Sequence, residues 1–278
     1  MEATRVQPFR FDARQGALIA LLLALAVVGW LVTDDRMAGM DAGPGTDPGA
    51  LGFYVGAWVV MMGAMMFPSI APMVLAYARI QGHRRGLGRA QTGPVAVALF
   101  VGGYLLSWTV FGLAAYGLLE LVRSLDIGAL SWDEGGPWLA GGVLVAAAAY
   151  QLTPAKDVCL SKCRGPMDFV FGYWKDGYTG ALRMGVEHGA WCVGCCWALM
   201  AALFALGVMS VGWMVFVAAL IAIEKLLPWK EVANRGIAVL LVVLGIGVAL
   251  APERVPGLTL PDSPAARDAN MHMKMQTR

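Results

Sequence analysis

The chain has 278 residues, of which 58% are hydrophobic and 14% are charged. Ordinary soluble domains have about a quarter of their residues charged, so this composition argues against a soluble globule. The formal net charge of +2 excludes a strongly basic nucleic-acid-binding protein, and no nucleic-acid partner is predicted.

Long apolar segments with little or no charge recur along the chain. A helix that crosses about 30 Å of hydrocarbon needs about 20 residues, and about 17 are enough. Seven segments approach or pass this length: 15–33, 50–78, 94–119, 136–153, 185–208, 211–227 and 236–252. The sequence therefore predicts an all-α, polytopic transmembrane helical bundle of about seven spans within a single domain, residues 1–253. The count falls to six if the first segment is a cleaved signal sequence.

The distribution of Lys and Arg tests this arrangement, because short cytoplasmic segments hold the excess of positive charge. With the N-terminus in the cytoplasm, the cytoplasmic segments hold 15 of the 21 Lys and Arg residues. Four of the other six lie in the C-terminal tail. The sequence predicts a cytoplasmic N-terminus and a C-terminus on the opposite side.

The second predicted span carries four methionines directly before a proline. Met61 and Met65 are one helical turn apart, as are Met62 and Met66, so each pair lies on one helix face. The thioether is a soft, neutral ligand that suits Cu(I) at membrane depth. Pro68 is expected to kink the helix after this cluster. The alternative is that these methionines only fill space in the core.

Glycines in the third and fourth spans predict close helix packing, at Gly102-Gly103 and Gly141-Gly142. The longest connection, 154–184, is amphipathic, so we expect an interfacial helix or a re-entrant piece there. It contains Cys159 and Cys163, one helical turn apart. Because the cytoplasm keeps thiols reduced, a metal or redox pair is favoured over a structural disulfide. Two unremarkable loop cysteines are the alternative.

The fifth span contains a histidine and three cysteines, His188, Cys192, Cys195 and Cys196. At about 100° per residue, His188, Cys192 and Cys195 share a narrow stripe. Thiolate and imidazole are donors for Cu(I), Zn(II) and iron–sulfur iron. The sequence therefore predicts a metal site here. The alternative is that the cysteines act as small apolar residues and that His188, beside Glu187, is an interfacial anchor.

The remaining polar positions have simpler explanations. Glu224 and Lys225 end the sixth span, where a snorkelling lysine and a paired acid are the default prediction. The tail, 254–278, is rich in proline and is predicted to be flexible and largely disordered. Its segment 271–275 alternates Met with His and Lys, and together with Met37 and Met40 it forms minor sulfur sites on the outer face.

The second and fifth spans are predicted to cross the membrane in opposite directions, so their sulfur clusters are expected at a similar depth. A shared intramembrane site is then permitted, with Cys159 and Cys163 as a cytoplasmic acceptor pair. The predicted metal ligands are Met61, Met62, Met65, Met66, His188, Cys192, Cys195, Cys196, Cys159 and Cys163. No catalytic residue is predicted, because motifs for nucleotide binding, zinc hydrolysis and nucleophilic catalysis do not occur in the sequence.

Several of these motifs together resemble a bacterial family of predicted metal-binding integral membrane proteins. They are Met61-Met62-x-Ala64-Met65-Met66-x-Pro68, Cys159-x-x-x-Cys163-x-x-Pro166, His188-Gly189-x-x-Cys192-x-Gly194-Cys195-Cys196-Trp197 and Glu224-Lys225-x-x-Pro228. The resemblance covers about residues 50–230. It implies a polytopic protein of the bacterial inner membrane with a metal role, and it implies no established activity.

Three functional hypotheses follow. The first is a Cu(I)-binding protein that takes up, buffers or transfers the metal, with the lipid bilayer and a metal chaperone or metalloenzyme as partners; zinc and iron are the alternative cofactors. The second is a membrane thiol–disulfide or electron-transfer protein that uses Cys192/Cys195 and Cys159/Cys163. A structural subunit, with sulfur serving only for packing, is the third. The sequence leaves the oligomeric state open.

Overall fold

The structure, a computed structural model, describes residues 13–86, 93–125, 132–261 and 263–276, with side chains up to residue 271. Within these residues the fold is all-helical, as the sequence predicted. The helices are α1 (Ala13–Met37), α2 (Leu51–Gly86), α3 (Pro94–Ser124), α4 (Gly136–Gln151), α5 (Pro154–Arg164), α6 (Pro166–Gly172), α7 (Gly177–Leu206), α8 (Val211–Leu226), α9 (Lys230–Leu250) and α10 (Pro264–Gln276).

Each of the seven predicted spans corresponds to a helix of the bundle. Five of them, α1, α2, α3, α7 and α9, are long and apolar enough to cross a membrane. The other two, α4 and α8, have only 16 residues each. After α4 the chain bends by 68° into α5, and the two helices together meet the same test. The described part of the chain therefore offers five candidate spans, or six if α4 and α5 count as one. The helix α8 is the predicted span that does not meet the test.

Glycines let α3 and α7 pack at very short distance. A Cβ atom on Gly185 would lie 2.0 Å from the carbonyl oxygen of Phe100, and one on Gly103 would lie 2.2 Å from that of Leu182. Gly141 of α4 is packed in the same way against α9, where a Cβ would lie 2.5 Å from the Gly245 oxygen. The predicted glycine contacts are confirmed at Gly103 and Gly141, whereas Gly102 and Gly142 face open space.

The turn before α8 and the end of α8 decide which part of α7 the last residues of α8 lie beside. The turn between α7 and α8 is built on Gly207, whose φ of +120° suits a residue without a Cβ. It reverses the chain so that α8 runs back along α7 and ends at Leu226, two residues before Pro228. The last turn of α8 thereby lies beside the middle of α7, about three to four helical turns below the connecting turn.

The C-terminal region docks on the loop between α1 and α2. Ala266 and Ala269 of α10 form a small buried cluster with Ala42. The Thr259 hydroxyl donates to the Asp41 carboxylate at 3.0 Å. The region that the sequence predicted to be largely disordered therefore contains a docked helix, because small side chains allow close contact. Its flexibility stays a prediction.

Candidate metal centre

Two helices, α5 and α7, bring four of the five cysteines together, and the end of α8 lies beside them. Cys192, Cys195 and Cys196 lie in the middle of α7 and are at most 1% exposed. Cys163 comes from the last turn of α5 and is only partly buried. The sequence places Cys192 and Cys196 one turn apart, about 6 Å along the helix, and Cys195 lies at an intermediate level.

The first possible ligand group consists of three thiols. The sulfurs of Cys163, Cys192 and Cys195 all lie within 4.8 Å of one another, and those of Cys163 and Cys195 are 3.7 Å apart. With metal–sulfur bonds of about 2.3 Å, three thiolates around one trigonal ion are separated by about 4 Å. The three thiols are therefore close to the spacing that a sulfur-bound metal ion requires.

The second possible group shares Cys195 with the first. It consists of Cys195, Cys196 and Glu224, whose ligand atoms also lie within 4.8 Å of one another. The sulfurs of Cys195 and Cys196 are 3.3 Å apart, and Cys196 Sγ lies 3.8 Å from Glu224 Oε1. Glu224 thus presents one carboxylate oxygen to the thiols from the end of α8.

Two lysines place positive charge beside these groups. Lys225 donates from Nζ to Cys192 Sγ at 2.9 Å. Lys156 of α5 donates to Glu224 Oε2 at 2.7 Å, with the two side chains 1% and 0% exposed. The prediction that Lys225 snorkels at the end of a span is wrong, because the ammonium group contacts the buried Cys192 and the residue is only 8% exposed. Buried anionic donors need such neighbouring cations, since an isolated charge in the interior is strongly unfavourable.

Other side chains hold α5 and α7 in place around the cysteines. The guanidinium of Arg164, next to Cys163 in sequence, donates to the carbonyl oxygens of Glu224 and Leu227 at the end of α8. On the opposite side, the Tyr104 hydroxyl of α3 lies 3.1 Å from Cys192 Sγ. Arg164 and Tyr104 belong to neither ligand group, and their contacts help to hold Cys163 and Cys192 in position.

His188 lies close to the thiols in sequence but in different surroundings. Its ring stacks on Phe100 and Tyr104, with centroid distances of 6.1 and 5.8 Å, and meets Phe169 edge-on at 5.0 Å. Its Nδ1 has no hydrogen-bond partner among the described residues. The neighbouring Glu187 forms ion pairs with Lys175 and Arg183. Neither described ligand group contains His188, and its role as a ligand stays a prediction.

The four methionines of α2 lie inside the bundle. Met61, Met62, Met65 and Met66 are between 0% and 2% exposed, so none of them faces the surroundings of the protein. The helix continues through Pro68 and Pro72, and the Ser69 hydroxyl donates to the Met66 carbonyl. Buried methionine side chains are compatible with a metal-binding role and also with a role in core packing alone. The ligand role of these methionines stays a prediction.

The remaining sulfur positions are distributed differently from the sequence prediction. Cys159 packs over Gly194 of α7, where a Cβ would come within 2.8 Å of its sulfur, and it belongs to neither described ligand group. Cys163 joins the α7 thiols, and the ligand role of Cys159 in a cytoplasmic acceptor pair stays a prediction. Met37 and Met40, expected at an outer sulfur site, are 5% and 4% exposed core residues. The side chains of 272–275 lie outside the described residues.

A protein-family model matches most of the chain. The PpoB2 family, described as a copper chaperone, matches residues 55–248. The chain belongs to this family. The matched region contains the methionine cluster, all five cysteines, His188 and the Glu224-Lys225 pair. No curated protein and no solved structure matches the chain. The metal-related resemblance of the sequence is thus confirmed at the level of a copper-handling family.

Sequence reasoning missed three groups that surround the thiols: Tyr104, Lys156 and the inward-facing Lys225. The sequence carries only a weak signal that these three residues lie beside the thiols. Lys225 and Glu224 were visible as charges at the end of an apolar segment, a position that is suspicious at membrane depth. Lys156 is one of many positive charges in the predicted cytoplasmic segments, and Tyr104 lies within an apolar stretch of α3.

Proposed function

We propose that this protein is a Cu(I)-binding protein of the bacterial inner membrane that takes up, buffers or transfers the metal. The principal ion position is formed by Cys163, Cys192 and Cys195. The observation that carries this proposal is the convergence of three thiol sulfurs from two helices within 4.8 Å, in a member of a copper chaperone family. Soft thiolate donors in a buried pocket favour Cu(I) over the harder divalent ions.

The surroundings of the thiols support a site that exchanges its cargo. Thiolates are the ligand form of cysteine, so each bound ion is accompanied by negative charge. The ammonium group of Lys225 compensates part of this charge beside Cys192. Cys163 is the partly exposed ligand, while Cys192 and Cys195 are buried. An incoming or departing ion therefore passes Cys163, and a metal chaperone or metalloenzyme is the partner that we propose at that side.

The methionine cluster of α2 and His188 have auxiliary roles in this proposal. Neutral thioethers bind Cu(I) without releasing protons, which suits weak, passing coordination inside a bundle. Met61, Met62, Met65 and Met66 would supply such donors on the way to the thiols. His188, whose Nδ1 has no hydrogen-bond partner in the part of the chain that the structure describes, would be a nitrogen donor.

Copper analysis of purified variants tests the principal site. The full chain is purified in detergent under anaerobic conditions and loaded with Cu(I), and copper per chain is measured. We expect Cys192→Ser to bind at least one copper fewer than wild type, because a hydroxyl is a poor soft donor. Cys159→Ser is the matched variant, a cysteine outside both ligand groups, and should keep the wild-type copper content. Equal copper in wild type and Cys192→Ser would refute the proposal.

Thiol–disulfide chemistry is the second candidate function. The sulfurs of Cys163 and Cys195 are 3.7 Å apart and belong to different helices, so they form a candidate dithiol that joins α5 to α7, beside the closer pair of chain neighbours Cys195 and Cys196 at 3.3 Å. Thiol trapping in intact membranes distinguishes the two functions. A Cys163–Cys195 disulfide that forms and is reduced with the state of quinone or thioredoxin supports redox chemistry. Thiols that stay reduced and are protected from alkylation by Cu(I) support the copper site.

A further inference from the structure

The two ligand groups share one atom, the sulfur of Cys195. The first group adds Cys163 and Cys192 to it, and the second adds Cys196 and Glu224. The backbone positions of Cys192 and Cys196 are one turn apart on α7. A single ion bound by either group leaves donors of the other group unused.

Resting on the proposed copper site, we propose that the protein holds two Cu(I) ions side by side. The Cys195 thiolate bridges an ion bound to Cys163 and Cys192 and a second ion bound to Cys196, with Glu224 Oε1 as an additional donor. Cu(I) accepts two to four donors, so two thiolates and one oxygen complete the second position.

The charges around the cluster match two monovalent ions. Four thiolates and the Glu224 carboxylate carry five negative charges when all are deprotonated. Lys225 contacts Cys192, Lys156 is paired with Glu224, and Arg164 is bonded to the backbone at Glu224 and Leu227. These three cations leave a charge of about −2, which two Cu(I) ions neutralise. One Cu(I) ion in a fully deprotonated cluster would leave a buried negative charge.

The degree of burial gives the two positions different roles. Cys163 is partly exposed, whereas Cys196 and Glu224 are fully buried. The Cys163/Cys192/Cys195 position is therefore the exchange position, and the Cys195/Cys196/Glu224 position is the interior one. An ion can pass between them by changing one ligand at a time while it stays bound to Cys195.

Copper stoichiometry and X-ray absorption test this inference. The full chain in detergent is loaded anaerobically with Cu(I), and copper per chain is measured for wild type, Cys196→Ser, Cys196→Ala and the matched variant Cys159→Ser. We expect both Cys196 variants to bind one copper fewer than wild type, and Cys159→Ser to be unchanged. With bonds of about 2.3 Å to a shared sulfur, the two ions lie within about 4.6 Å. Wild type should therefore show copper–copper scattering, and both Cys196 variants should lose it.

The possible failures are distinguishable. Wild type that binds no copper would overturn the proposed function and this inference together. Wild type that binds one copper per chain without copper–copper scattering would overturn the inference alone. The same holds for Cys196 variants that keep the full copper content and the scattering signal. The wild-type spectrum decides even if the variants do not fold.

Discussion

At the scale of single residues, the buried charges of α5 and α8 are the least expected feature of the molecule. Lys156 and Glu224 form an ion pair with side chains 1% and 0% exposed, and Lys225 is directed at a thiol. Burying such groups requires that each charge has a close partner, because desolvation costs several kcal/mol per ion. The pair therefore ties α5 to α8 and holds the Glu224 carboxylate in a fixed orientation.

Removing one partner of this ion pair should be much worse than removing both. We expect Lys156→Met to lower the free energy of unfolding by about 3–5 kcal/mol, because it leaves the Glu224 charge buried without a partner. Adding Glu224→Gln should recover a large part of that loss. Unfolding of detergent-solubilised protein measures both. The exposed pair of Arg235 and Glu231 is the control, and Arg235→Ala should cost at most about 1 kcal/mol. Additive effects of the two buried substitutions would contradict this account.

At the scale of elements, glycine contacts decide how closely the helices approach one another. α3 and α7 are in contact through Gly103, Gly185 and Gly189, which leave no space for a side chain. This contact carries Tyr104 of α3 to Cys192 of α7. The sequence signalled close packing through its glycine pairs, but only one glycine of each pair makes the contact. Which one does so depends on the rotation of the helix about its axis.

A methyl group placed at this helix contact should separate α3 from α7. We expect Gly185→Ala to lower the free energy of unfolding by about 1–3 kcal/mol, because the new Cβ collides with backbone atoms that cannot rotate away. Gly102→Ala is the matched control. It lies in α3 with open space around it and should be neutral or stabilising by about 0.5–1 kcal/mol, as alanine favours helix. Thermal unfolding of the two variants in detergent makes the comparison, and an equal loss in both would be inconsistent with the packing described.

At the scale of the whole molecule, the short helices matter as much as the long ones. α8 has only 16 residues and ends where its last turn meets the thiols. α5 follows α4 after a bend of 68° and enters the bundle from the side. A bundle made only of full-length spans would leave Cys163 and Glu224 at its surface. The broken and shortened helices bring both of them inside.

The predicted topology places residues 154–184 in the cytoplasm and the C-terminus in the periplasm. We expect alkaline phosphatase to be active in bacteria when it is fused after Arg278, because this enzyme requires the oxidising periplasm for its disulfides. A fusion after Arg164 should be inactive, since the positive charge of this segment retains it in the cytoplasm. Activity of the Arg164 fusion together with inactivity of the Arg278 fusion would invert the proposed orientation.

The sequence by itself determined the helical class, the position of each apolar segment and the identity of the sulfur-rich motifs. These properties are local, since hydrophobic length and residue spacing within one helix are visible in the chain. It also made Cys192, Cys195 and Cys196 neighbours, because three and four residues are one helical turn.

Only the tertiary structure decided which distant groups join the α7 thiols. Cys163 rather than Cys159 reaches Cys195, Lys225 turns inward, and Lys156 neutralises Glu224. These contacts depend on the bend after α4 and on the length and rotation of α8, which no periodicity within a single segment reports. Residues 32 and 68 positions apart in sequence meet because several helices pack at once, and that packing is a property of the assembled bundle.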